Sequence, residues 1–257
     1  GPLGEPRGGQ PLGRAEEAPV VVGAPPGYET DAAGRRVADE ALRGEQAMAE
    51  GHFERCDDDE WLLNTGREVT PAEIGCFASH RSMWQKCVEL GEPIMIMEDD
   101  FQLLPGFVDA VEQAARNIDE CGFIRLQDET RARRERVAKR GQFRLWRYTK
   151  APHSMMCNAI TPEVAQRFVE MTRVACEPVD VFIKKFWEHG QPIYGLTPYT
   201  VTESRLSQKT CIPDRDKARK DLKVRSARLL RKCSWEVRRV RASRENAKKE
   251  TPGPVIA

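Results

Sequence analysis

Three consecutive carboxylates, Glu98-Asp99-Asp100, follow directly on four apolar residues, Ile94-Met95-Ile96-Met97. A short apolar run without alternation, introduced by Pro93, predicts a strand buried on both faces of a sheet. In open α/β sheets ligands bind beyond the carboxyl ends of the strands, which is where this acidic run falls. Three carboxylates held there cannot all ionise cheaply without a cation. Alternate residues of an extended chain point the same way, so Glu98 and Asp100 share a side while Asp99 points elsewhere. Two such carboxylates with room for water suit Mg2+ or Mn2+, hard ions that take oxygen ligands and bridge to substrate phosphates. The competing reading is the polar start of a loop, and residue type alone leaves both open.

Other titratable residues stand at element boundaries. His80 lies one helical turn from Cys76 and one from Met83-Trp84, so it is either a core histidine or a donor or metal contact. Trp84 reads as core. Glu73 closes the capping box Thr70-Pro71-Ala72-Glu73, a structural duty at a helix start. Asp180, after Pro178-Val179, is either a helix N-cap or a catalytic base, with Glu203 and His153 as rivals for the latter role. Asp57-Asp58-Asp59-Glu60 reads as a solvated loop because neighbouring carboxylates repel. The eight cysteines are spaced 11 to 36 residues apart, with no CxxC pair and no Cys/His cluster. A zinc or redox motif is therefore not expected, and reduced thiols acting as small hydrophobes are.

These groups need elements to hold them. The capping box, with proline at the first helical position, starts a helix that Gly91 ends. Pro105-Gly106 leads a second helix, through Ile118 to about Gly122. Phe123–Leu126 is the next strand, and Met155–Ile160 another. Thr161-Pro162 starts a helix reaching about Ala175, Pro178 opens one ending at Gly190, and Pro192–Gly195 is a last strand. The Arg-rich segment 129–147 has no clear assignment, as acceptor contact or solvated loop. Upstream, Pro19–Val22 reads as a first strand and Asp31–Ala49 as a charged helix. This alternation predicts a layered α/β domain over about 70–205.

Residues 1–19 hold five Gly and four Pro and predict a disordered leader, opening Gly1-Pro2-Leu3-Gly4 as a cloning remnant or fragment edge would. The chain divides into this leader (1–18), a domain (19–213) and a basic tail (214–257). The net charge of +1 hides that division. Residues 215–249 carry 15 Lys/Arg against 4 Asp/Glu, or +11, leaving −10 on the remainder. Within this arm Leu222, Leu229, Leu230, Cys233, Val237 and Val240 follow helical spacing among cations, a basic amphipathic helix. Three fates compete: docking on anionic lipid, packing of the stripe on the domain, or nucleic-acid binding, the last without any recognised module. Trp235 falls opposite the stripe and has no assignment. No apolar run approaches the length of a membrane span.

Glu73-Ile74-Gly75-Cys76-Phe77-Ala78-Ser79-His80, then Trp84, then Ile94–Met97 closing in Glu98-Asp99-Asp100, resembles glycosyltransferase family 25, the lipooligosaccharide and collagen galactosyltransferases. The strand at 123–126, the Ala159–Ala165 segment and Pro178-Val179-Asp180 extend the likeness over about 69–207. The resemblance implies a GT-A-like α/β fold with a mixed sheet and flanking helices, here with a basic helical C-terminal arm. It implies an inverting hexosyltransferase that moves galactose from a UDP-sugar to a glycan or glycolipid acceptor in lipopolysaccharide synthesis, with Mn2+ or Mg2+. Glu98 and Asp100 would hold the metal, Glu73, Ser79, His80 and Asp99 the donor, and Asp180 would be the base. A cytoplasmic protein, peripheral on a bacterial inner membrane, is the matching placement. The sequence departs from the family in its first strand, where only Val20–Val22 and Arg35-Arg36 stand near the expected motif. It departs again at Asn158, where a tyrosine is usual. A catalytically impaired homologue serving as a glycan-binding or membrane-associated scaffold is the alternative.

Overall fold

The computed structural model describes residues 20–22, 37–38, 51–98, 101–128, 132–203 and 222–249. Eight strands form one mixed sheet: β1 (Val20–Val22), β2 (Val37–Ala38), β4 (Ile94–Met97), β6 (Phe123–Arg125), β7 (Arg133–Arg140), β8 (Phe143–Lys150), β9 (Cys157–Ile160) and β11 (Tyr194–Thr197). Their order is β2-β1-β4-β9-β6-β11-β8-β7. Two short pairs lie outside it, β3 (Arg55–Cys56) with β10 (Val174–Ala175) and β5 (Phe101–Leu103) with β12 (Val201–Glu203). The helices are α1 (Asp58–Thr65), α2 (Pro71–Leu90), α3 (Phe107–Ala115), α4 (Ile118–Cys121), α5 (Pro162–Met171), α6 (Val179–Lys184), α7 (Phe186–His189) and α8 (Leu222–Lys249). This is the mixed α/β architecture expected.

Strand β4 is buried on both faces, as its unalternating run predicts. Ile94 and Ile96 enter a core with Phe77, Trp84 and Phe168, while Met95 and Met97 enter a second core with Val111, Ile124 and Leu126. The period-two geometry of a strand divides them. Since β9 runs antiparallel between β4 and β6, its amino end meets their carboxyl ends, with Met97 opposite Cys157 and Arg125 opposite Asn158. The loop 151–156 before β9 is thereby delivered to the sheet edge where ligands bind in such folds.

The Thr70 hydroxyl accepts from the Glu73 amide, Pro71 opens α2, and Gly91 at φ 68 closes it, so both end signals act as read. Several expectations are overturned. Asp57–Glu60 is not a loop: Asp57 caps α1 by accepting from the Glu60 amide at 3.1 Å, and the acidic first turn complements the positive helix start. Val37–Ala38 pairs in parallel with β1, which breaks the predicted 31–49 helix; the rest of that segment lies outside the described residues. The unassigned 129–147 stretch contains β7 and the start of β8, an antiparallel hairpin at the sheet edge turned by Gly141 at φ 60. Its cationic composition hid the alternation, for only the β8 residues Phe143, Leu145, Arg147 and Tyr148 are buried.

The remaining shifts are breaks within predicted helices. The helix from Pro105 is interrupted between α3 and α4. That from Thr161 stops at Met171, and that from Pro178 breaks at Lys185 before Gly190 ends it. The predicted leader falls outside the described residues.

Helix α8 does not show the packing of its apolar stripe on the domain, one of the three fates considered. Leu222, Leu229, Leu230 and Val237 are all more than 60% exposed. The opposite face docks: Arg228 donates to the Thr65 carbonyl, Arg231 to Glu60 at 2.6 Å, and Arg239 to the Thr149 carbonyl. Trp235 lies near Trp187, with the Lys185 ammonium 4.2 Å from its ring centroid. That gives Trp235 its role. Among the described residues no helix is long and apolar enough to cross a membrane.

Candidate active site

The parity that sends Ile94 and Ile96 toward α2 also sends Glu98 there, two residues further on. Its Oε1 lies 3.0 Å from Nε2 of His80. An ionised carboxylate only accepts, so Nε2 carries the proton and donates. His80 is 3% exposed, and its Nδ1 has no hydrogen-bond partner among the described residues. The core-histidine reading holds in that the ring is buried, and its Nε2 faces the carboxylate at the end of β4. Asp99 and Asp100, expected at the donor and the metal, lie outside the described residues.

Cys76 joins this pair. Its thiol, a nitrogen of His80 and a carboxylate oxygen of Glu98 lie within 4.8 Å of one another. The expectation of no Cys/His cluster is thus overturned. The readable signal was the i, i+4 spacing of Cys76 and His80, which puts both on one helix face. The third member, Glu98, follows β4 at 18 residues beyond His80, and only folding brings it near.

Ser79 donates back to the Gly75 carbonyl at 2.9 Å, within α2. The buried carboxylate of Glu73 is engaged by Arg67 and lies 3.1 Å from the Thr70 hydroxyl, which fits its capping duty. These two sit on the same helix as His80 and bear hydrogen bonds of their own.

A second polar group forms where loop 151–156 meets α6. Asp180 is not the N-cap, a position taken by Pro178, which offers no side-chain bond. It is instead the second residue of the helix, and its Oδ2 accepts from Nδ1 of His153 at 2.9 Å. Nε2 of His153 lies 3.5 Å from Lys184 Nζ, an ammonium whose pKa burial lowers while Asp180 and Glu177 raise it. In the neutral imidazole with its proton on Nδ1, Nε2 is an acceptor, and Lys184, His153 and Asp180 then form a directional chain. The buried guanidinium of Arg125, at the end of β6, donates to the His153 carbonyl at 2.9 Å and anchors the loop. Ser154 next to it adopts φ 73, an uncommon conformation for a non-glycine residue that the loop's anchors hold in place. Gln127 accepts from the Cys157 amide at 2.8 Å, where that loop enters β9.

Asp180 and His153, two rivals for one role, are therefore partners. Glu203, the third, closes β12 opposite Phe101, the residue following the acidic run. Asn158 is fully buried in β9 and donates to the Met155 carbonyl. Two carboxylate–histidine pairs thus stand at one sheet edge, beyond β4 and before β9. The α2 pair is buried on one side by aromatic core, whereas His153 is 64% exposed and open to solvent.

Comparison with known proteins accords with this arrangement. The similar proteins include one of Bos taurus named probable inactive glycosyltransferase 25 family member 3, 34% identical over 56 residues. That match covers 21% of this chain and only 9% of the bovine protein, so the chain accounts for a small part of that relative's length. A family model described as glycosyltransferase family 25 (LPS biosynthesis protein) matches residues 40–183, from the approach to α1 through α6. That stretch contains the whole of α2, the end of β4 and Asp180. With more than half of its length matched, the chain belongs to glycosyltransferase family 25.

Proposed function

We propose that this protein transfers a sugar, with galactose the first candidate, from a UDP-sugar to a hydroxyl of a glycan or glycolipid acceptor, inverting the anomeric carbon on a GT-A-type domain. The observation that carries the reading is the meeting of His80 and Glu98, residues of separate motifs, at the sheet edge that also bears Asp180 and His153. Glu98, with Asp100 two positions on in the sequence, would hold Mn2+ or Mg2+, which when bound neutralises charge on the departing diphosphate. Glu98 fits that duty, being partly exposed and aimed by a fixed imidazole. Ser79, His80, Asp99 and Glu73 are the proposed donor contacts.

An inverting displacement needs a base for the acceptor hydroxyl. Asp180 takes that proton in this reading. The His153 N–H holds the carboxylate in one orientation, and Lys184 keeps Nε2 of His153 occupied as an acceptor. Release of UDP from a panel of UDP-sugars with Mn2+ tests the proposal. Asp100→Ala should abolish turnover and Asp180→Asn should lower kcat at unchanged donor KM. Full activity in Asp100→Ala refutes the metal assignment.

The bovine relative's name favours one second reading, a non-catalytic glycan-binding scaffold. Calorimetric titration with UDP and Mn2+ separates the two, because a protein that binds neither is not the enzyme described.

The outward face of α8 supports docking on an anionic membrane. Exposed Leu222, Leu229, Leu230 and Val237 are flanked by Lys223, Arg225, Lys232, Arg241 and Arg244, the pattern of a helix lying in a headgroup layer. That placement suits a lipopolysaccharide-type acceptor and a peripheral position on the cytoplasmic face of a bacterial inner membrane.

A further inference from the structure

We infer that Cys76, His80 and Glu98 form a binding site for a zinc-class metal ion, using one sulfur, one nitrogen and one oxygen ligand. The donor set is the first argument. Mg2+ and Mn2+ prefer oxygen ligands, whereas a thiolate and an imidazole together select zinc and its near neighbours. A site built only for a hard ion has no use for a cysteine placed one turn before its histidine.

Geometry is the second argument. The three donor atoms lie within 4.8 Å of one another. Ligands about 2.0–2.3 Å from a tetrahedral zinc stand roughly 3.3–3.7 Å apart, so a closure of about 1 Å assembles them. The His80–Glu98 separation of 3.0 Å is already near the nitrogen–oxygen span such an ion needs. The ion takes the place of the proton now shared by those two atoms.

Proton bookkeeping is the third. The Cys76 thiol gives its proton to solvent as the thiolate binds. The His80 proton moves from Nε2 to Nδ1, which is buried with no hydrogen-bond partner among the described residues, so no bond among them is broken and the cost is the desolvation of one N–H. Three protein ligands leave a fourth position open, as in catalytic rather than structural zinc sites. Rigid elements present the ligands: Cys76 and His80 ride on one face of α2, and Glu98 follows β4.

The site does not depend on sugar transfer, but it shares Glu98 with the oxygen-ligand site proposed above. Zinc and manganese therefore compete for that carboxylate.

Titration of the metal-free full chain with Co2+, without nucleotide, is the test. The expected spectrum has intense visible bands of tetrahedral Co2+ and a near-ultraviolet thiolate charge-transfer band, both bleached by one equivalent of Zn2+. Cys76→Ser should lose the charge-transfer band, and His80→Asn should weaken Co2+ binding at least tenfold. Both variants are checked for retained far-ultraviolet circular dichroism. Cys233→Ser, an exposed thiol on α8, serves as the control and keeps the full spectrum. A wild-type protein with no charge-transfer band, or a band that survives in Cys76→Ser, overturns the site. Equal displacement of Co2+ by Mn2+ overturns its selectivity. Because the readout is absorption, failure of transferase activity leaves the result unaffected, and an active enzyme without the band still refutes it.

Discussion

Helices α2 and α8 are the two longest in the described chain, and they meet the rest of the protein by opposite means. Helix α2 is inserted: Phe77, Ala78 and Trp84 are almost fully buried, and Trp84 stacks edge-on against Phe168 at 5.2 Å. Helix α8 is laid on: its buried residues are Arg239 and Ser243, and it docks through arginines reaching carbonyls and carboxylates, with the Trp235 ring near both Trp187 and the Lys185 ammonium. In α2 the apolar face points inward, and in α8 it points to solvent. Apolar periodicity therefore identifies a helix in both cases but names the docking face only where a matching apolar surface exists to receive it. A helix that hides cations and shows leucines reverses the burial that its composition alone would predict.

Four measurements would break or sharpen this contrast. Trp84→Ala should cost about 3–5 kcal/mol in urea unfolding, because a fully buried indole leaves a cavity in the aromatic core. If it costs no more than the α8 substitution below, the two helices are not held differently.

The same core contains His189, packed 4.8 Å from Phe168 with Nε2 near the Ile183 carbonyl. Burial lowers its pKa from 6.5 to about 4. The unfolded chain thus takes up a proton before the folded one. The stability this group contributes is complete above pH 6.5 and is lost as pH falls through about 4, about 3 kcal/mol in all. His189→Gln should flatten that acid slope in urea midpoints measured between pH 7 and 4. Glu177, which burial raises to about 7 against the pull of Lys185 at 2.6 Å, has the opposite slope in that range. The difference between wild type and variant therefore isolates His189.

On α8, Arg231→Ala should cost about 1 kcal/mol or less, since Glu60 is half exposed and solvent screens the pair. A loss near that of Trp84→Ala would mean that α8 is part of the core. The combined Leu229→Ser, Leu230→Ser and Val237→Ser variant should shift stability by less than about 0.5 kcal/mol. It should nevertheless lose co-sedimentation with vesicles of anionic lipid, while wild type pellets with these and not with zwitterionic ones. Equal pelleting of the two proteins removes the membrane role.

Much of the scaffold was legible because its signals are local. The Thr70 capping box and Gly91 bound α2, and the run 94–97 announced a strand buried on both faces, since each depends on residues within a few positions. The 133–150 hairpin was not legible, because edge strands rich in arginine lack the alternation that marks a half-buried strand. Asp57 was misread for a related reason: an acidic run repels itself as a loop yet complements a helix dipole. At the candidate site, the position of Glu98 at the end of β4 was legible from the apolar run before it. The pairing of Asp180 with His153, 27 residues apart, was not, since each looked like a separate candidate.

By itself the sequence determined the α/β alternation, the family motifs on α2 and after β4, and the division of a near-neutral chain into an acidic body and a basic arm. Burial, capping and net charge are properties of neighbouring residues, so they can be read in order. Tertiary structure alone decided which carboxylate meets which histidine, that Cys76 stands beside them, and which face of α8 looks outward. Those outcomes depend on β9 running antiparallel between β4 and β6 and on which surfaces are left to receive a helix, and no local pattern encodes either.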